Sequence, residues 1–573
     1  MISFYDFEVF KYDWLVVIIN PFTKEETVIV NDPDALLNYY NKHMNEIWGG
    51  YNNRHYDQYI MKGILAGFNP WDVNKFIILD EQPGYLFSTL LRNFKMINFD
   101  IQLLGKSLKQ LEGFQGHNIY ESKVDFKIDR KLTQDEIDET IRYCRRDVEE
   151  TINVFCECKN EFDAMLGLVK MFDLPLSAMG MTKAQITAEI LGCEMETWFD
   201  AWDIVYLPCI RLGKYAWIKD WFNNPENQSD SMELKTDVCG VPHVFALGGL
   251  HGATLKYTHI CGPDELMLHV DVESYYPSIM TEWGLITRAA RHPERLKEIK
   301  DTRLRLKHEG KKKEQAPLKI VINGAFGICK DPRSKAYDPR TASSICINGQ
   351  LMLLDLLEKL EKVPTFELIQ SNTDGLIIKI KRDHFDEIDD VCYEWEKRTK
   401  MKLEFDYIKE IYQKDVNNYL FIQFDGKIEK KGSYVKELSA IDNDLPIVNK
   451  AIVEYIVHGV RPEITIGECD DLIQFQKIVK LTSKYECVHH NGCWYTNKCY
   501  RVFASKNSSD GQILKCKRKS GSEYFKKDKF ANTPDHCFIE NSDVTDLQVP
   551  SRLDKEWYIS LTKERLNQFG IEV

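Results

Sequence analysis

Apolar and polar positions alternate along this chain with the periods of strands and amphipathic helices. WLVVIIN at residues 14–20 and ETVIVN at residues 26–31 have the length and β-branched content of strands. Residues 132–158, LTQDEIDETIRYCRRDVEETINVFCEC, have the spacing of a long amphipathic helix. Strands and helices alternate in this way up to about residue 160, which predicts an α/β domain.

A second block of predicted strands follows residues 161–240, which we interpret as a connector of helices and loops. Its strands are HVFALGGLHGA at 243–253, the start of DVESYYPSIM at 271–280, ELIQSNTDGLIIKIK at 367–381 and NYLFIQFDGKIEKKGSYVK at 418–436. A basic helical segment lies between them at 292–327. The chain beyond about residue 440 mixes helices with short strands.

Length and charge narrow the class of protein. At 573 residues the chain exceeds what one hydrophobic core usually holds, so we expect several subdomains. The formal net charge of −13 argues against a general polyanion binder but leaves room for locally basic sites. We see no run of about 18 apolar residues and no basic, apolar leader, and the sixteen cysteines have no regular spacing. We therefore expect a soluble, cytoplasmic protein without a membrane partner.

A first set of acidic residues begins in FYDFEVF, where Asp6 and Glu8 lie two residues apart on one face of a predicted strand. Two carboxylates on an apolar strand resist burial unless a cation lies between them. Two further pairs have the i, i+4 spacing of one helix face: Asn53 with Asp57, and Tyr143 with Asp147.

In this order the three pairs resemble the motifs of 3′-to-5′ proofreading exonucleases of ribonuclease-H-like fold. The resemblance implies two divalent ions at this site, with Asp6, Glu8 and Asp147 as ligands and Asp57 nearby. Tyr143 would orient the attacking water. The residues implied to hold the single-stranded primer end are Asn53, Tyr56, Ser107 and Leu108, the last two from SLKQL, which looks like the Ser/Thr-Leu motif of the phage branch.

Three later motifs form a second acidic set: DVESYYPS at 271–278, KIVINGAFG at 319–327 and SNTDG at 371–375. In this order they resemble the polymerase motifs of family B DNA polymerases, Asp-x-x-Ser-Leu-Tyr-Pro-Ser, Lys-x-x-x-Asn-Ser-x-Tyr-Gly and Asp-Thr-Asp-Ser. Together with the exonuclease motifs, the resemblance spans most of residues 1–436 and points to the bacteriophage branch.

The resemblance implies a role for each matching residue. Asp271 and Asp374, with the Val272 carbonyl, would hold two Mg²⁺ or Mn²⁺ ions. Tyr276 would lie under the sugar of the incoming nucleotide and exclude a 2′-hydroxyl. The residues implied to contact the triphosphate or the nascent base pair are Lys319, Asn323 and Phe326, with one of Arg303, Arg305 and Lys307 adding a phosphate contact.

The match departs from the family pattern at four places. In the third motif Asn372 and Gly375 replace the first Asp and the final Ser, and in the second motif Gly324 and Phe326 replace Ser and Tyr. The Tyr-x-Gly-Gly motif is Ala246-Leu247-Gly248-Gly249, and the Lys-x-Tyr motif is Asn417-Asn418-Tyr419 with Lys430, Lys431 and Lys436 as substitute cations. We predict DNA contacts by Gly248, Gly249, Tyr419 and Lys431.

These observations predict an α/β and α+β multidomain protein, with a ribonuclease-H-like exonuclease followed by a right-hand polymerase. The expected segments are exonuclease 1–160, connector 161–240, palm 241–290 and 331–440, fingers 291–330, and thumb and C-terminal region 441–573. The intervals between the polymerase motifs leave little room for the insertions of protein-primed phage replicases. We therefore expect priming by a terminal protein and insertion-dependent strand displacement to be absent or handled differently.

The leading hypothesis is a DNA-directed DNA polymerase with 3′-to-5′ exonuclease activity in phage or mobile-element replication. It would act as a monomer on primer-template DNA, single-stranded DNA and deoxynucleoside triphosphates, with phage replisome proteins as further partners. Two alternatives stay open: an exonuclease with a degenerate polymerase site, and a non-catalytic DNA-binding factor.

Two C-terminal stretches have chemistry of their own. The charged run KCKRKSGSEYFKKDKF at 515–530 has two open interpretations, contact with duplex phosphates or a solubilising face. CVHHNGCWYTNKC at 487–499 lacks a close Cys-x-x-Cys pair, which favours a β-hairpin over a zinc site.

Overall fold

The structure, a computed structural model, describes residues 1–101, 103, 105–518 and 525–573. It divides into two units, each assembled from separate stretches of the chain. Unit 1 contains residues 1–181, 438–448 and 463–560, and unit 2 contains residues 182–437, 449–462 and 561–573. Both units combine sheets with helices, which confirms the mixed α/β, multidomain class. Among the described residues, no helix has the length and apolarity needed to cross a membrane.

The first 181 residues build a sheet around their N-terminal strand. The strands are β1 (Ile2–Val9), β2 (Trp14–Asn20), β3 (Glu25–Val30), β4 (Ile47–Gly50) and β5 (Asn98–Asp100), in the order β3-β2-β1-β4-β5. β2 and β3 run antiparallel to their neighbours, whereas β4 is parallel to both β1 and β5. The helices are α1 (Pro33–His43), α2 (Asp57–Leu65), α3 (Pro70–Asn74), α4 (Thr89–Asn93), α5 (Leu108–Phe114), α6 (Gln134–Glu157) and α7 (Lys159–Met171).

The long helix predicted near residue 140 is α6, and it packs on β1 and β2. Its N-terminus is closed by a capping box between Thr133 and Glu136, a pattern that the sequence displays as Thr-x-x-Glu. The apolar side of β1 lies in a core with Trp14, Trp48 and Ile60.

Unit 2 contains one large sheet in the order β15-β14-β13-β10-β12-β11-β8-β7-β6, with β9 pairing β13. The strands are β6 (Glu233–Val238), β7 (Val241–Ala246), β8 (Gly249–Ala253), β9 (Tyr257–Ile260), β10 (Glu265–Val272), β11 (Glu367–Asn372), β12 (Gly375–Lys381), β13 (Leu403–Asp415), β14 (Asn418–Gln423) and β15 (Ile428–Lys431). The helices of residues 182–437 are α8 (Lys183–Ile190), α9 (Ala216–Asn223), α10 (Tyr275–Trp283), α11 (Glu294–His308), α12 (Lys312–Lys330), α13 (Pro339–Leu360) and α14 (Phe385–Thr399). α13 is buried along almost its whole length and packs against α10, α12 and α14.

Beyond residue 437 the helices are α15 (Pro446–His458), α16 (Pro462–Gly467) and α17 (Lys555–Gln568). The strands are β16 (Lys477–Lys480), β17 (Cys487–His490), β18 (Cys493–Tyr495), β19 (Cys499–Ala504), β20 (Leu514–Arg518), β21 (Phe525–Lys529) and β22 (Cys537–Ile539). They form two sheets, β16-β19-β22 and β18-β17-β20-β21. β17 and β18 pair around a turn at Asn491 and Gly492, so the hairpin prediction for residues 487–499 is confirmed.

A buried arginine explains why residues 463–560 group with residues 1–181. The Arg501 guanidinium is fully buried and donates to the carbonyls of Gly113, His117 and Ser542 at 3.1, 2.6 and 2.6 Å. A buried guanidinium needs all its donors satisfied, so these contacts fix the two stretches against each other. The two units do not test the six-segment division expected from the motifs, which stays a prediction.

Candidate active sites

Unit 1 brings four carboxylates together, which we call the first cluster: Asp6, Glu8, Asp57 and Asp147. Asp6 and Glu8 project from one face of β1, as the two-residue spacing predicts. Asp57 begins α2, and its Oδ1 accepts a hydrogen bond of 3.1 Å from the backbone N–H of Phe7, between the two. Asp147 comes from α6, which packs on β1.

Burial makes the first cluster resist ionisation. Burial and repulsion from neighbouring carboxylates raise the pKa of Asp6 and Glu8 well above their ordinary values. The same causes raise the pKa of Asp57 to about 7, although the Phe7 N–H acts in the opposite direction. Burial also raises the pKa of Asp147, against the opposing charge of Lys109. These groups therefore favour a cation that would let them ionise together.

Lys109, which the motif comparison did not single out, is a cation inside this site. Its Nζ lies 2.5 Å from Asp147 Oδ1, 2.7 Å from Glu112 Oε1 and 4.8 Å from the centre of the Tyr143 ring. Burial lowers the pKa of Lys109, but Asp147 and Glu112 outweigh burial and raise it. Glu112 is fully buried, and burial raises its pKa to about 8. Lys109, the third residue of SLKQL, thus balances part of the negative charge of Asp147 and Glu112.

The chemistry of the donors fits a hard divalent cation. The carboxylate oxygens of Asp6 and Glu8 and the Cys144 sulfur lie within 4.8 Å of one another. Burial raises the pKa of the Cys144 thiol, which donates to the Asp6 carbonyl at 3.2 Å, so the thiol stays protonated. The remaining donors are oxygens, which Mg²⁺ and Mn²⁺ prefer.

The other predicted residues of this site differ in accessibility. Tyr143 is half-buried, one helical turn from Asp147, whose charge adds to burial in raising the tyrosine pKa. Asn53 is fully buried in a reciprocal pair of amide hydrogen bonds with Asn98, at 3.0 and 2.9 Å. A direct contact between Asn53 and a primer end would require this pair to open.

Tyr56, Ser107 and Leu108 are partly exposed. The Tyr56 hydroxyl donates to Asn74 Oδ1 at 2.7 Å. Ser107 is the N-cap of α5, where its backbone N–H donates to Gln110 Oε1 at 3.2 Å, and Leu108 is the first residue of that helix. These positions do not test the prediction that the three residues contact single-stranded DNA.

In unit 2, Asp271 and Asp374 meet at one edge of the large sheet. Asp271 is the penultimate residue of β10 and lies directly opposite Gly375 of β12. The N–H of Val272 donates to the Asp374 carbonyl at 2.8 Å. A Cβ on Gly375 would lie 2.9 Å from Asp271 Oδ1, so the glycine that replaces the motif serine leaves room for this carboxylate. Asn372, the other replacement in the motif, donates to the Val416 carbonyl at 3.3 Å.

A third carboxylate, Glu404, joins them from β13, where it pairs directly with Asp271. We call Asp271, Asp374 and Glu404 the second cluster. Burial, with repulsion from Asp374 and Glu404, raises the pKa of Asp271 to about 7. Desolvation also raises the pKa of Asp374, while Lys431 acts in the opposite direction. This oxygen-only donor set again fits Mg²⁺ or Mn²⁺.

A cavity of about 360 Å³ adjoins the second cluster. Its lining includes all three carboxylates of the cluster together with Tyr276, Asn323 and Phe326. The Tyr276 hydroxyl donates to the Gly248 carbonyl at 2.9 Å, and its ring lies 4.7 Å from the Phe326 ring. Tyr276, predicted to exclude a 2′-hydroxyl, and Phe326, predicted to stack on the nascent base pair, are therefore neighbours in one cavity.

Two of the three basic residues of α11 that were predicted to contact phosphate lie at this cavity. Arg303 and Lys307 line it, whereas Arg305 does not. Arg303 donates to Ser274 Oγ at 2.9 Å, and Lys307 Nζ lies 2.8 Å from Glu404 and 3.4 Å from Glu273. Lys319 is exposed on α12, one turn before Asn323, and is not part of this lining.

The residues predicted to contact DNA lie around the same sheet edge. Gly248 is exposed with open space at its Cα, whereas a Cβ on Gly249 would lie 2.8 Å from Thr373 Oγ1. Tyr419 and Lys431 are paired across β14 and β15. Both line a polar cavity of about 90 Å³ that includes Asp271 and Asp374.

Comparison with known proteins adds a distant likeness. No protein-family model and no curated protein matches this chain. Among solved structures, the family B DNA polymerase from the hyperthermophilic archaeon Pyrobaculum calidifontis is similar over 100% of this chain and 78% of its own, with 13% identity and a TM-score of 0.40.

Proposed function

We propose that this protein is a DNA-directed DNA polymerase with a 3′-to-5′ proofreading exonuclease. The observation that carries the proposal is the meeting of Asp271, on β10, with Asp374, in the turn that leads into the neighbouring strand β12. Both line a cavity together with Tyr276, Asn323 and Phe326. These residues belong to three motifs that are far apart in the sequence. Their convergence supports a common site for metal, sugar and base.

In the polymerase site, Asp271, Asp374 and the Val272 carbonyl would hold two Mg²⁺ or Mn²⁺ ions. The chemistry supplied by these ions would be activation of the primer 3′-hydroxyl and neutralisation of charge on the triphosphate. The chain itself contributes positive charge from Arg303 and Lys307 on the cavity wall. A flexible Lys319 side chain, one turn from Asn323, would approach the phosphates from α12.

The aromatic wall of the cavity would select and position the nucleotide. The Tyr276 ring is held by its hydrogen bond to the Gly248 carbonyl, which favours a fixed position under the sugar. A ring fixed there leaves no space for a 2′-hydroxyl, so deoxynucleotides are preferred. Phe326, in contact with Tyr276, retains the flat face needed to stack on the nascent base pair.

In the exonuclease site, Asp6, Glu8 and Asp147 would hold two divalent ions, with Asp57 close by. Ions bound there would supply the attacking hydroxide and stabilise the leaving oxygen. Tyr143, one turn from Asp147, would orient the water, and Lys109 holds the Asp147 carboxylate. The strand order β3-β2-β1-β4-β5, in which only β2 runs opposite to the other strands, supports a ribonuclease-H-like domain.

The biological setting follows from the motif resemblance. We infer a phage or mobile-element replicase that works as a monomer in the host cytoplasm, on primer-template DNA, single-stranded DNA and deoxynucleoside triphosphates. Replisome proteins of the same phage are its proposed partners. The large sheet of unit 2, with α11 and α12 beside its acidic edge, supports a palm and fingers arrangement.

The test is extension of a labelled primer on a longer template with Mg²⁺, with and without the four deoxynucleotides. We expect growth with nucleotides and shortening without them. Asp374→Ala should abolish growth and leave shortening largely intact, and Asp6→Ala with Glu8→Ala should do the reverse. Asp390→Ala, an exposed acid on α14, is the matched control and should change neither.

Other outcomes separate the alternatives. Shortening in both lanes of the unaltered protein would favour an exonuclease with a degenerate polymerase site. Neither growth nor shortening, with retained binding to DNA, would favour a non-catalytic DNA-binding factor. Continued synthesis by Asp374→Ala would show that the second cluster is not the metal site of the polymerase.

A further inference from the structure

The sheet β18-β17-β20-β21 has one face that the proposed active sites do not use. Directly paired residues share a face, and pairing joins His489 to Trp494 and Cys516 to Lys527. Arg518 and Phe525, paired with each other, lie on the same side. We call His489, Trp494, Arg518, Phe525, Lys527 and Lys529 the Trp494 face.

The opposite face of this sheet packs into the interior. Val488, paired with Tyr495, belongs to a hydrophobic core that also contains Val479 and Phe530. Trp494 is instead 50% exposed. Half of a large aromatic surface therefore faces solvent on a sheet whose other side already supplies the core contacts. Packing of the hydrophobic core therefore does not account for a tryptophan at this position.

Rings and cations alternate on the Trp494 face. The Trp494 ring lies 4.8 Å from the His489 ring and 5.1 Å from the Phe525 ring. Lys527 Nζ lies 4.9 Å from the Trp494 ring centre, and the Arg518 guanidinium lies 5.5 Å from that of Phe525. Burial and the Lys527 charge lower the pKa of His489, so its ring is neutral at pH 7.

The charge of the two strands at this edge opposes that of the chain. β20 and β21 carry six lysines and arginines against one acid, Asp528, in a chain of formal net charge −13. Three of the six, Arg518, Lys527 and Lys529, lie on the Trp494 face, and Asp528 lies on the opposite face. Arg518 is paired with Glu486 at 3.4 Å and Lys529 with Asp535 at 2.6 Å. Within the described part of the chain, Lys527 forms no salt bridge. Exposed pairs of this kind are weak, so their cations can exchange to phosphates.

We propose that the Trp494 face is a binding site for single-stranded DNA, with bases stacked on Trp494 and Phe525 and phosphates bound by Lys527 and Arg518. A base offers its flat face to a protein ring only when it is unpaired and unstacked from its neighbours. An exposed tryptophan with cations beside it therefore fits a single strand better than a duplex. The proposal differs from both open interpretations of residues 515–530, which were contact with duplex phosphates and a solubilising face. Residues 519–524 of this stretch lie outside the described residues.

The proposal goes beyond the polymerase and exonuclease assignments and does not depend on either. The face contains none of the carboxylates of the first or second cluster. Binding can therefore be measured without nucleotides and in EDTA, where neither synthesis nor degradation occurs. If the protein has neither polymerase nor exonuclease activity, this binding measurement still tests the Trp494 face.

The test is fluorescence anisotropy of a labelled dT12 oligonucleotide and of a blunt 12-base-pair duplex. Trp494→Ala should weaken binding to dT12 about tenfold, the loss of one base–aromatic stack, and change duplex binding less than twofold. Trp494→Phe should retain most of the affinity. Lys527→Ala should reduce the slope of log affinity against log salt by about 0.7, one phosphate contact on a single strand.

Matched controls come from exposed residues elsewhere. Trp217→Ala removes a tryptophan that is 44% exposed, and Lys170→Ala removes an exposed lysine from α7. Both should leave dT12 binding unchanged. An equal loss with Trp217→Ala and Trp494→Ala, or an equal loss on dT12 and duplex, would overturn the proposal.

A second measurement covers the case in which other clefts dominate the affinity. Photocrosslinking of dT12 containing 4-thiothymidine, followed by mass spectrometry, should attach DNA to peptides that contain Trp494 or Phe525. These crosslinks should disappear in Trp494→Ala while others persist. Crosslinks confined to peptides outside residues 485–530 would show that single-stranded DNA does not occupy this face.

Discussion

At the scale of single residues, Lys109 sets the ionisation of the first cluster. Its charge lowers the pKa of Glu8, Glu112 and Asp147 against the effect of burial. In Lys109→Met these carboxylates should hold their protons to higher pH and compete poorly for Mg²⁺. We expect degradation of single-stranded DNA to fall about tenfold at pH 6.5, equivalent to a shift of about one pKa unit, and less at pH 8.5.

The control for this prediction is Lys106→Met, three residues earlier, which removes contacts with Ile441 and Asp442 and leaves the cluster intact. The readout is a pH profile of exonuclease rate at several Mg²⁺ concentrations. Equal loss at pH 6.5 and 8.5 would mean that Lys109 acts only by supporting the fold. A shift of the acidic limb to higher pH would identify the electrostatic role.

Residue spacing in the sequence predicted part of both clusters. Asp6 with Glu8, and Tyr143 with Asp147, are near neighbours on one element, so strand and helix periods are sufficient to pair them. Lys109 and Glu404 lie in the sites because of long-range packing and strand pairing. Glu404 pairs with Asp271 between β13 and β10. The residue pattern of LEFD alone does not predict which residue of β10 lies opposite Glu404.

At the scale of elements, the packing of α13 against α10 positions Tyr276. A Cβ on Gly349 of α13 would lie 2.9 Å from Tyr276 Cε1 and 3.5 Å from Tyr275 Cε1. The Tyr275 hydroxyl also donates to the Gly349 carbonyl at 2.6 Å, which leaves α10 little freedom to retreat. Gly349→Ala should displace the Tyr276 ring and lower kcat/KM for deoxynucleotides about tenfold, since small misplacements at a reacting site have large effects.

The matched control is Gly467→Ala at the end of α16, where an added Cβ meets open space. Steady-state incorporation of one nucleotide gives kcat and KM, and exonuclease rate provides an internal reference. Overpacking of this kind also lowers stability by about 1–3 kcal/mol. If Gly349→Ala lowers stability but leaves kcat/KM unchanged, the contact with Tyr276 has no role in nucleotide binding.

At the scale of the whole molecule, the sequence indicated the class of fold better than the assembly of its parts. The α/β patterning of residues 1–160 and 241–436 is local and was sufficient to predict both main sheets. The grouping of residues 463–560 with residues 1–181 depends on contacts such as Arg501 with the Gly113 and His117 carbonyls. A lone arginine in CYRVFA gives no sign in the sequence that it will be fully buried.

Both clusters together make stability depend on pH and on divalent cations. Folding raises the pKa of Asp57 and Asp271 to about 7 and that of Glu112 to about 8. The folded chain therefore binds more protons than the unfolded chain between about pH 4 and pH 8, so the free energy of unfolding decreases as pH rises through this range. Without metal, we expect the melting temperature to fall by about 5 °C or more from pH 5 to pH 8.

Mg²⁺ should reverse this fall, because bound cations stabilise the ionised carboxylates in the folded state only. The expected increase in melting temperature is large at pH 8 and small at pH 5, measured by scanning calorimetry with Mg²⁺ or with EDTA. Asp6→Asn with Glu8→Gln and Asp271→Asn should lessen the pH dependence, part of which remains with Asp57 and Glu112, and remove most of the Mg²⁺ effect. A melting temperature that rises steadily from pH 5 to pH 8 in EDTA would contradict the raised pKa values. It would indicate instead that the carboxylates are already balanced by cations of the chain itself.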